Sequence, residues 1–352
     1  MNTTKAPRAA ATTDTTSPAR TAKSGWVAKT VRQREIPVIA ALILLVVITS
    51  IINPLFLSPQ GLKDLMLNAT IMVILAAGQA MVIITRNVDL SVGSMLGLVA
   101  FGTGSIFNLA PGIPIPLVFL GGMVFGAVLG IVNGLLTTLA KVPSLVITLG
   151  TLYVFRGLNN AWAGGTQYFA GDRPTEFGGL SVDTFLGMPI ITLLAVVVVV
   201  IVAFFMGGTR PGRDFYAIGS DPDAALLFGI PVARRVLMAF VANGALAGLA
   251  GVLYASRFNA VGATTGTGLE LDVVAAAVVG GVAIFGGSGT IAGAAIGAIL
   301  LNTITSSLTA VRVDKFWQQA IVGILIIASI LIDRLAGLRR AKVLRETEGR
   351  HV

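Results

Sequence analysis

The polar side chains that could do chemistry in this chain are mostly amides and carboxylates set within long apolar stretches. An uncharged amide exchanges hydrogen bonds with hydroxyl groups without holding a solute tightly, so amides at membrane depth are candidates for a transport pathway. The alternative is that each amide bonds a neighbouring helix or its own backbone. The amides inside or near apolar stretches are Asn68, Gln79, Asn133, Asn243 and Asn302.

Asp89 and several glycines mark two candidate turns. We expect Asp89 to cap the helix that follows it and to pair with Arg86; the functional alternative is a helix N-terminus that faces a cavity. Near residue 290, glycines permit a tight turn, and Ser288 or Thr290 is expected to cap the next helix. The candidate gate or turn residues are therefore Asp89, Gly93, Gly286, Gly287 and Gly289.

Two further carboxylates, Glu270 and Asp272, are expected at the outer edge of an apolar segment. At that edge they could receive a basic partner, and the alternative is that both simply remain solvated. Their position in the sequence does not distinguish contact with a basic partner from simple solvation.

Several kinds of chemistry are excluded because their residues are missing. The chain has no cysteine, and its single histidine is His351, next to the C-terminus. Disulfides, thiolate metal sites, cysteine nucleophiles and Ser-His-Asp catalysis are therefore not expected. No Gly-x-x-x-x-Gly-Lys-Ser/Thr sequence occurs, so the chain carries no P-loop for ATP. The sequence predicts no catalytic residue, no metal site, no cofactor and no enzymatic activity of its own.

Composition defines the elements that must position these side chains. Hydrophobic residues make up 55% of the 352 residues and charged residues only 12%, and glycine occurs 42 times. The mean hydropathy is +0.88. Too few polar residues are present to cover a water-soluble surface, and glycine allows close helix contacts in lipid. The sequence predicts an all-α, polytopic membrane protein.

About ten segments are long and apolar enough to be spans, because a bilayer core of about 30 Å needs about 20 apolar residues per helix. Several segments are short or interrupted by glycine and proline. The predicted spans are 37–52, 65–85, 90–109, 115–139, 143–158, 189–206, 235–256, 271–285, 290–310 and 316–332.

The basic residues predict the orientation of these spans. Lysine and arginine concentrate in the N-terminal tail, in the connection 207–235 and in the C-terminal tail, so all three are expected in the cytoplasm. Ten spans place both termini inside and the acidic loop 159–188 outside. The predicted organisation is a disordered cytoplasmic tail over 1–35, a transmembrane domain over 36–335 and a second cytoplasmic tail over 336–352. Because the net charge of +9 sits in tails and one connection, a nucleic-acid partner is not expected.

The connection 207–235 contains a predicted short helix. Asp221 fits the N-cap, Pro222 the first helical position and Asp223 the first turn, while Gly229 ends the helix. The helix carries an apolar Leu-Leu-Phe sequence ending at Phe228 in a segment expected to face water. Docking of a soluble partner would cover it; alternatively, its apolar side rests on lipid headgroups.

This connection also resembles the coupling-loop motif of permease subunits of bacterial ATP-binding-cassette importers of the ribose/xylose/arabinose class. The matching residues are Gly219, Ala224, Ala225, Gly229 and Ile230, and Asp221 retains the capping position. Four more stretches resemble family segments in the expected order, with variants most like the autoinducer-2 and rhamnose importer permeases. They are Arg86–Ser94, Val142–Gly157, Gly266–Glu270 and the glycine-rich 279–289.

The resemblance implies the membrane-spanning permease subunit of a sugar importer in the bacterial cytoplasmic (inner) membrane. It implies three protein partners: a separate ATPase that holds ATP and Mg and docks on the coupling loop, an extracytoplasmic sugar-binding protein, and a second permease copy or sister permease. Glu270 and Asp272 would then lie on the binding-protein side. The alternative function is an ion-coupled secondary transporter of a small polar solute, a class that usually needs buried ionisable residues.

Overall fold

The computed structural model describes residues 26–140, 142–314, 316–324 and 327, with side chains from residue 36 onward. The fold is almost entirely helical, and residues 316–324 are helical as well. The helices are α1 (Trp26–Ile52), α2 (Pro59–Ile84), α3 (Val92–Leu109), α4 (Ile115–Ala140), α5 (Ser144–Ala163), α6 (Thr175–Val182), α7 (Ile190–Gly208), α8 (Arg210–Ser220), α9 (Pro222–Leu227), α10 (Val232–Arg257), α11 (Leu269–Val279) and α12 (Ile291–Ala310).

Helix α1 differs from the sequence prediction at its start. It begins at Trp26, so residues 26–35 are helical although they were expected in a disordered tail, and Pro37 lies inside the helix instead of at its start. The remaining parts of the two predicted tails, 1–25 and 336–352, lie outside the described residues.

Six of the described helices, α2, α3, α4, α7, α10 and α12, are long and apolar enough to cross a membrane. In α2, α3 and α10, between 72% and 89% of the most apolar 18-residue stretch is buried. In α4 and α7 the corresponding shares are only 28% and 22%. The first three helices therefore form the centre of the bundle. The exposed leucines, valines and phenylalanines of α4 and α7 form an outer apolar surface suited to lipid.

Helices α4 and α10 cross with their backbones in direct contact. Gly122, Gly126 and Gly130 of α4 face Gly244 and Gly248 of α10, and a Cβ on any of the five would fall closer than 3.0 Å to atoms of the other helix. Small residues four apart remove the side chains that normally keep membrane helices separated. This glycine contact anchors α4 to the centre of the bundle.

Helix α11 is shorter than the predicted span 271–285. It has 11 residues, or about 16 Å of helix, which is too short to cross a bilayer. Strand β4 (Ala260–Val261), which pairs with β1 (Tyr168–Phe169), precedes it, and residues 262–268 then run along α3. Irregular backbone of this kind is tolerated in a membrane protein where protein buries it.

The connection between α5 and α7 forms a small cap on one end of the bundle. It contains β1, the short helix α6 and a hairpin of β2 (Thr184–Phe185) with β3 (Met188–Pro189). At the hairpin turn, Leu186 is 84% exposed. Arg173 ties this cap to the end of α10 by donating hydrogen bonds to the carbonyls of Ala255 and Phe258.

Candidate functional site: a docking surface, a buried polar cluster and a cavity

The connection 207–235 contains two helices, whereas the sequence analysis predicted one. Helix α8 was missed, although Thr209 and Pro211 are ordinary signals for a helix start. Thr209 is its N-cap and accepts a hydrogen bond from the Gly212 amide at 3.2 Å. The salt bridge from Arg235 Nε to Asp214, at 2.8 Å, joins α8 to the start of α10.

Helix α9 has the predicted boundaries and caps. The Asp221 carboxylate accepts hydrogen bonds from the amides of Asp223 and Ala224, both at 3.0 Å, and Gly229 follows with a φ of +78°. Ala225 is buried against the bundle at 3% exposure. The apolar residues beyond it, which we call the α9 tip, are exposed: Leu226 by 63%, Leu227 by 88% and Phe228 by 86%.

Helix α8 connects this tip to the predicted glycine turn. The Tyr216 hydroxyl donates to the Gly289 carbonyl at 3.1 Å, and burial raises the pKa of this hydroxyl, so it keeps its proton. Gly219 lies so close to its neighbours that a Cβ would fall closer than 3.0 Å to the Ile84 carbonyl oxygen and the Gly287 nitrogen. The Gly287 amide donates to that same carbonyl at 3.0 Å. We call this contact of three chain segments the α8 junction.

The turn before α12 has the expected chemistry. Gly286, Gly287 and Gly289 have φ values of +83°, +73° and +133°, which a residue with a side chain rarely adopts. Of the two residues proposed as caps, Thr290 is the N-cap, and its hydroxyl accepts from the Gly293 amide at 2.8 Å. The predicted cap of α12 is therefore confirmed.

Asp89 lies at the centre of a buried polar cluster. Its carboxylate accepts hydrogen bonds from the Ser91 amide at 2.9 Å, the Ser91 hydroxyl at 2.7 Å, Asn133 Nδ2 at 3.3 Å and Asn243 Nδ2 at 3.0 Å. Gln79 donates to the Asp89 carbonyl at 3.2 Å and accepts from the Asp89 amide at 3.1 Å, in the side-chain orientation that satisfies both of these backbone groups. Asp89, Gln79, Asn133 and Asn243 are all fully buried.

This cluster differs from the expected arrangement around Asp89. The expected pairing with Arg86 does not form: Arg86 makes no ion pair among the described residues, and Asp89 bonds only uncharged donors. Asp89 also does not cap α3 directly, because Ser91 occupies the N-cap position. Gln79, Asn133 and Asn243 bond another part of the protein, and their assignment to a pathway stays a prediction.

The other two candidate amides, Asn68 and Asn302, line a cavity of about 510 Å³ between α2, α10, α11 and α12. Asn302 Nδ2 donates to the Leu65 carbonyl at 3.3 Å. The side chain of Asn68 is exposed and forms no hydrogen bond with the described residues. Asp272, predicted to lie at an outer edge, contributes to the wall of the same cavity.

Glu270 lies on the opposite face of α11 from Asp272, beside the first turn of α3. A Cβ on Gly93 would fall closer than 3.0 Å to the Glu270 carboxylate and to the Gly266 carbonyl. Strand β4 contacts the other end of α3, so residues 262–268 carry the chain inward before α11 begins. Glu270 and Asp272 are therefore inside the bundle and not at its edge, and contact with a binding protein stays a prediction.

Arg156 of α5 is a polar residue that the sequence analysis did not select. It donates from Nη1 to the Thr265 carbonyl, while its Nη2 and the Glu270 Oε2 are buried without hydrogen-bond partners among the described residues. A charged side chain within the predicted span 143–158, two residues before its end, was the available signal. Within the described residues, no group of three or more His, Cys, Asp or Glu could hold a metal ion.

Long apolar helices, glycine-mediated helix contacts and polar groups bonded inside the bundle define a multi-pass α-helical membrane protein of the permease class. The chain belongs to the family described as branched-chain amino acid transport system / permease component, which matches residues 61–330.

Relatives of the chain are similar over most of their length. It is 36% identical over 302 residues to the autoinducer 2 import system permease protein LsrC of Enterobacter sp. (strain 638), covering 86% of this chain and 87% of the relative. The proteins of that name from Escherichia coli (strain K12 / DH10B) and Salmonella typhimurium are also 36% identical, over 85% of this chain and 86% and 85% of their own lengths. No solved structure matches the chain.

Proposed function

We propose that this chain is the permease subunit of an ATP-driven importer for autoinducer 2 or a similar sugar-like solute. The observation that carries the proposal is the α9 tip: three large apolar side chains exposed on a well-capped helix outside the bundle. Such a tip is costly in water unless another protein covers it. The family and its autoinducer-2 relatives support the solute class.

The tip docks on a separate ATPase subunit, which supplies the ATP and Mg site. The coupling residues are those of the family motif: Gly219, Asp221, Ala224, Ala225, Gly229 and Ile230. Force applied at α9 passes through α8 to the α8 junction, and from there to the ends of α2 and of the 283–289 turn. This route is continuous through the hydrogen bond from Gly287 to Ile84.

The proposed topology has ten spans, the eighth made of residues 262–268 and α11 together, with both termini and the α9 tip in the cytoplasm. The cap between α5 and α7 then faces the outside of a bacterial inner membrane. There an extracytoplasmic binding protein delivers the solute, and a second permease copy or a sister permease completes the importer. The exposed apolar faces of α4 and α7 are available for lipid and for that second subunit.

The decisive experiment compares two exposed leucines in vesicles that contain the permease, its ATPase and its binding protein. Leu227→Asp alters the α9 tip, and Leu186→Asp is the matched control because Leu186 is 84% exposed on the β2–β3 turn. We expect Leu227→Asp to reduce solute-stimulated ATP hydrolysis at least about tenfold, a loss of about 1.4 kcal/mol in docking. Leu186→Asp should leave hydrolysis unchanged, and both variants should keep the parent melting temperature.

A second function, ion-coupled secondary transport, is favoured by one observation: Asp89 is a fully buried carboxylate with no cationic partner among the described residues. Buried carboxylates of this kind relay protons in some transporters. Uptake that continues without ATPase and follows a proton or sodium gradient would support this function and overturn the importer.

A further inference from the structure

A second cavity lies between α1, α2, α7 and α12, and its wall is apolar. Its volume is about 370 Å³, within the range of small-molecule sites, about 300–1,000 Å³. Twelve of the fifteen residues that line it are apolar, the other three are threonines, and no charged residue of the described chain lines it. It therefore differs from the cavity beside Asn68, whose wall includes amides and carboxylates.

The three threonine hydroxyls of this second cavity are already bonded within the protein. Thr70 donates to the Met66 carbonyl at 2.8 Å and shares a hydrogen bond with Thr192 at 2.9 Å. Thr303 donates to the Ile299 carbonyl at 2.7 Å. Water and hydroxylated solutes would find few partners on this wall, whereas cavities lined by aliphatic side chains bind apolar molecules. The chemistry of the wall fits a hydrocarbon ligand.

The second cavity opens sideways, toward the hydrocarbon of the bilayer. Val196 and Val200 of α7 line it and are 48% and 60% exposed on the outer apolar surface of the bundle. Along α2 the cavity extends from Leu65 to Val73, which is eight residues or about 12 Å of helix. A bilayer core is about 30 Å thick, so the cavity covers most of the depth of one leaflet. One acyl chain can enter it from the side.

A cation lies at one end of this cavity. Lys63 precedes Met66 by three residues, so it lies on the same face of α2, one turn beyond the cavity. Its ammonium group donates to the carbonyl of Val182, the last residue of α6, and forms no ion pair with the described residues. An ammonium group has three N–H donors, so two are left for an anion.

The carboxylates next to these residues in sequence do not neutralise Lys63. Asp64 Oδ1 lies 3.8 Å from Arg257 Nη2. The Asp183 carboxylate lies beside Gly179 within its own loop. The end of the cavity therefore keeps a positive charge, which attracts an anionic headgroup and repels the ammonium group of a zwitterionic one.

From these observations we propose that the second cavity binds an anionic phospholipid, with one acyl chain between α1, α2, α7 and α12 and the phosphate at Lys63. Lys63 and Val73 are ten residues apart on α2, or about 15 Å, which equals half of a bilayer core of about 30 Å. Headgroup and chain can therefore bind at the same time. The inference goes beyond the proposed function, and only the assignment of this lipid to the outer leaflet uses the proposed topology.

The test uses phosphatidylglycerol that carries a photoreactive diazirine halfway along one acyl chain. The full chain, purified in detergent, is irradiated with a small mole fraction of this probe, and the attachment sites are mapped by mass spectrometry. We expect labelling of 65–73 and 192–200 to saturate as the probe is increased. Unlabelled phosphatidylglycerol should compete about fivefold better than phosphatidylcholine with the same chains, because one lysine near a membrane surface favours an anionic lipid by about this factor.

Two matched pairs of variants assign the labelling to this cavity. Val196→Trp fills its mouth and should reduce saturable labelling at least about fivefold, whereas Val154→Trp, at a valine of α5 that is 56% exposed and does not line the cavity, should not. Lys63→Gln should remove the preference for phosphatidylglycerol, whereas Arg210→Gln, at an exposed cation of α8, should keep it. Melting temperatures close to that of the parent show that the variants are folded.

Three results would each overturn the proposal. They are labelling that never saturates, labelling that Val196→Trp leaves unchanged, and competition by phosphatidylcholine or palmitate as strong as that by phosphatidylglycerol. The experiment needs neither ATP hydrolysis nor a solute, so its outcome is independent of the Leu227→Asp test of the proposed function.

Discussion

Asp89 shows how a carboxylate is held inside this protein without a counter-ion. Its two oxygens accept one backbone and three side-chain hydrogen bonds, all from uncharged groups. Burial raises the pKa of the Asp89 carboxyl above its ordinary value, and the hydrogen bonds from Ser91, Asn243 and Asn133 oppose that rise. Because the donors come from α4, α10 and the start of α3, one carboxylate joins three helices.

Replacing Asp89 by leucine should destabilise the protein strongly. The change leaves the Asn243 side-chain amide and the Ser91 backbone amide buried without their acceptor, whereas Asn133 Nδ2 still donates to the Ser91 hydroxyl. We expect a loss of about 3 kcal/mol. Asp89→Asn, which keeps one acceptor oxygen, should cost less. Thermal unfolding of the purified chain in detergent measures both.

The control for this prediction is Asp223→Leu. Asp223 is exposed in the first turn of α9, so its replacement should cost less than about 1 kcal/mol. If Asp89→Leu melted at the same temperature as this control, the cluster would have no structural role.

At the residue scale, the sequence predicted those features that depend on near neighbours. The N-caps Asp221 and Thr290 and the stop at Gly229 were all visible, because a cap and the amide it bonds lie within three residues. The partners of Asp89 were not visible, since Asn243 follows it by 154 residues. Arg86 was chosen in their place because it was close in sequence.

At the scale of elements, the glycine contact of α4 and α10 shows which glycines are structural. Gly126 faces the carbonyl of Gly244 and the backbone of Gly248, whereas Gly121, in the same helix, has nothing near the position of a Cβ. The contact consists of backbone against backbone, so even a methyl group must push the two helices apart.

These two glycines give a matched pair of substitutions. Gly126→Ala should destabilise the chain by about 1–3 kcal/mol through overpacking. Gly121→Ala should be neutral or stabilise by up to about 1 kcal/mol, because alanine favours the helix. Melting temperatures in the same detergent compare them, and equal effects of the two changes would contradict the structure.

Element positions were predicted better than element roles. Nine predicted spans coincide with α1 to α5, α7 and α10 to α12, because apolar length is a local property. The sequence did not indicate that α11 is a half-length helix preceded by an irregular segment that packs on α3. Apolar residues such as Val282 follow α11 in the turn, so the predicted span extended to residue 285 although the helix ends at Val279. Asp272 was placed at an outer edge because the predicted span began at residue 271, although it lines a cavity.

At the scale of the whole molecule, the α9 tip and the β2–β3 turn should lie on opposite sides of the membrane. Leu227→Cys and Leu186→Cys each place one thiol at a highly exposed position of a chain without cysteine. In right-side-out vesicles, we expect an impermeant maleimide to label the cysteine at 186 and not the one at 227. Inside-out vesicles should reverse the pattern, and labelling of both from one side would exclude the proposed ten-span topology.

The long reach of the Asp89 cluster has a consequence for how the protein is made. A ribosome delivers α2, the Asp89 loop and α3 to the bilayer well before Asn243 of α10 and Gly287 of the last turn have been translated. Until then, the Asp89 carboxylate lacks one of its donors and the Ile84 carbonyl lacks its Gly287 partner. A nascent or truncated chain that stops before α10 therefore lacks the contacts that join the Asp89 loop and the end of α2 to the second half of the chain, and we expect it to unfold at a lower temperature than the full chain.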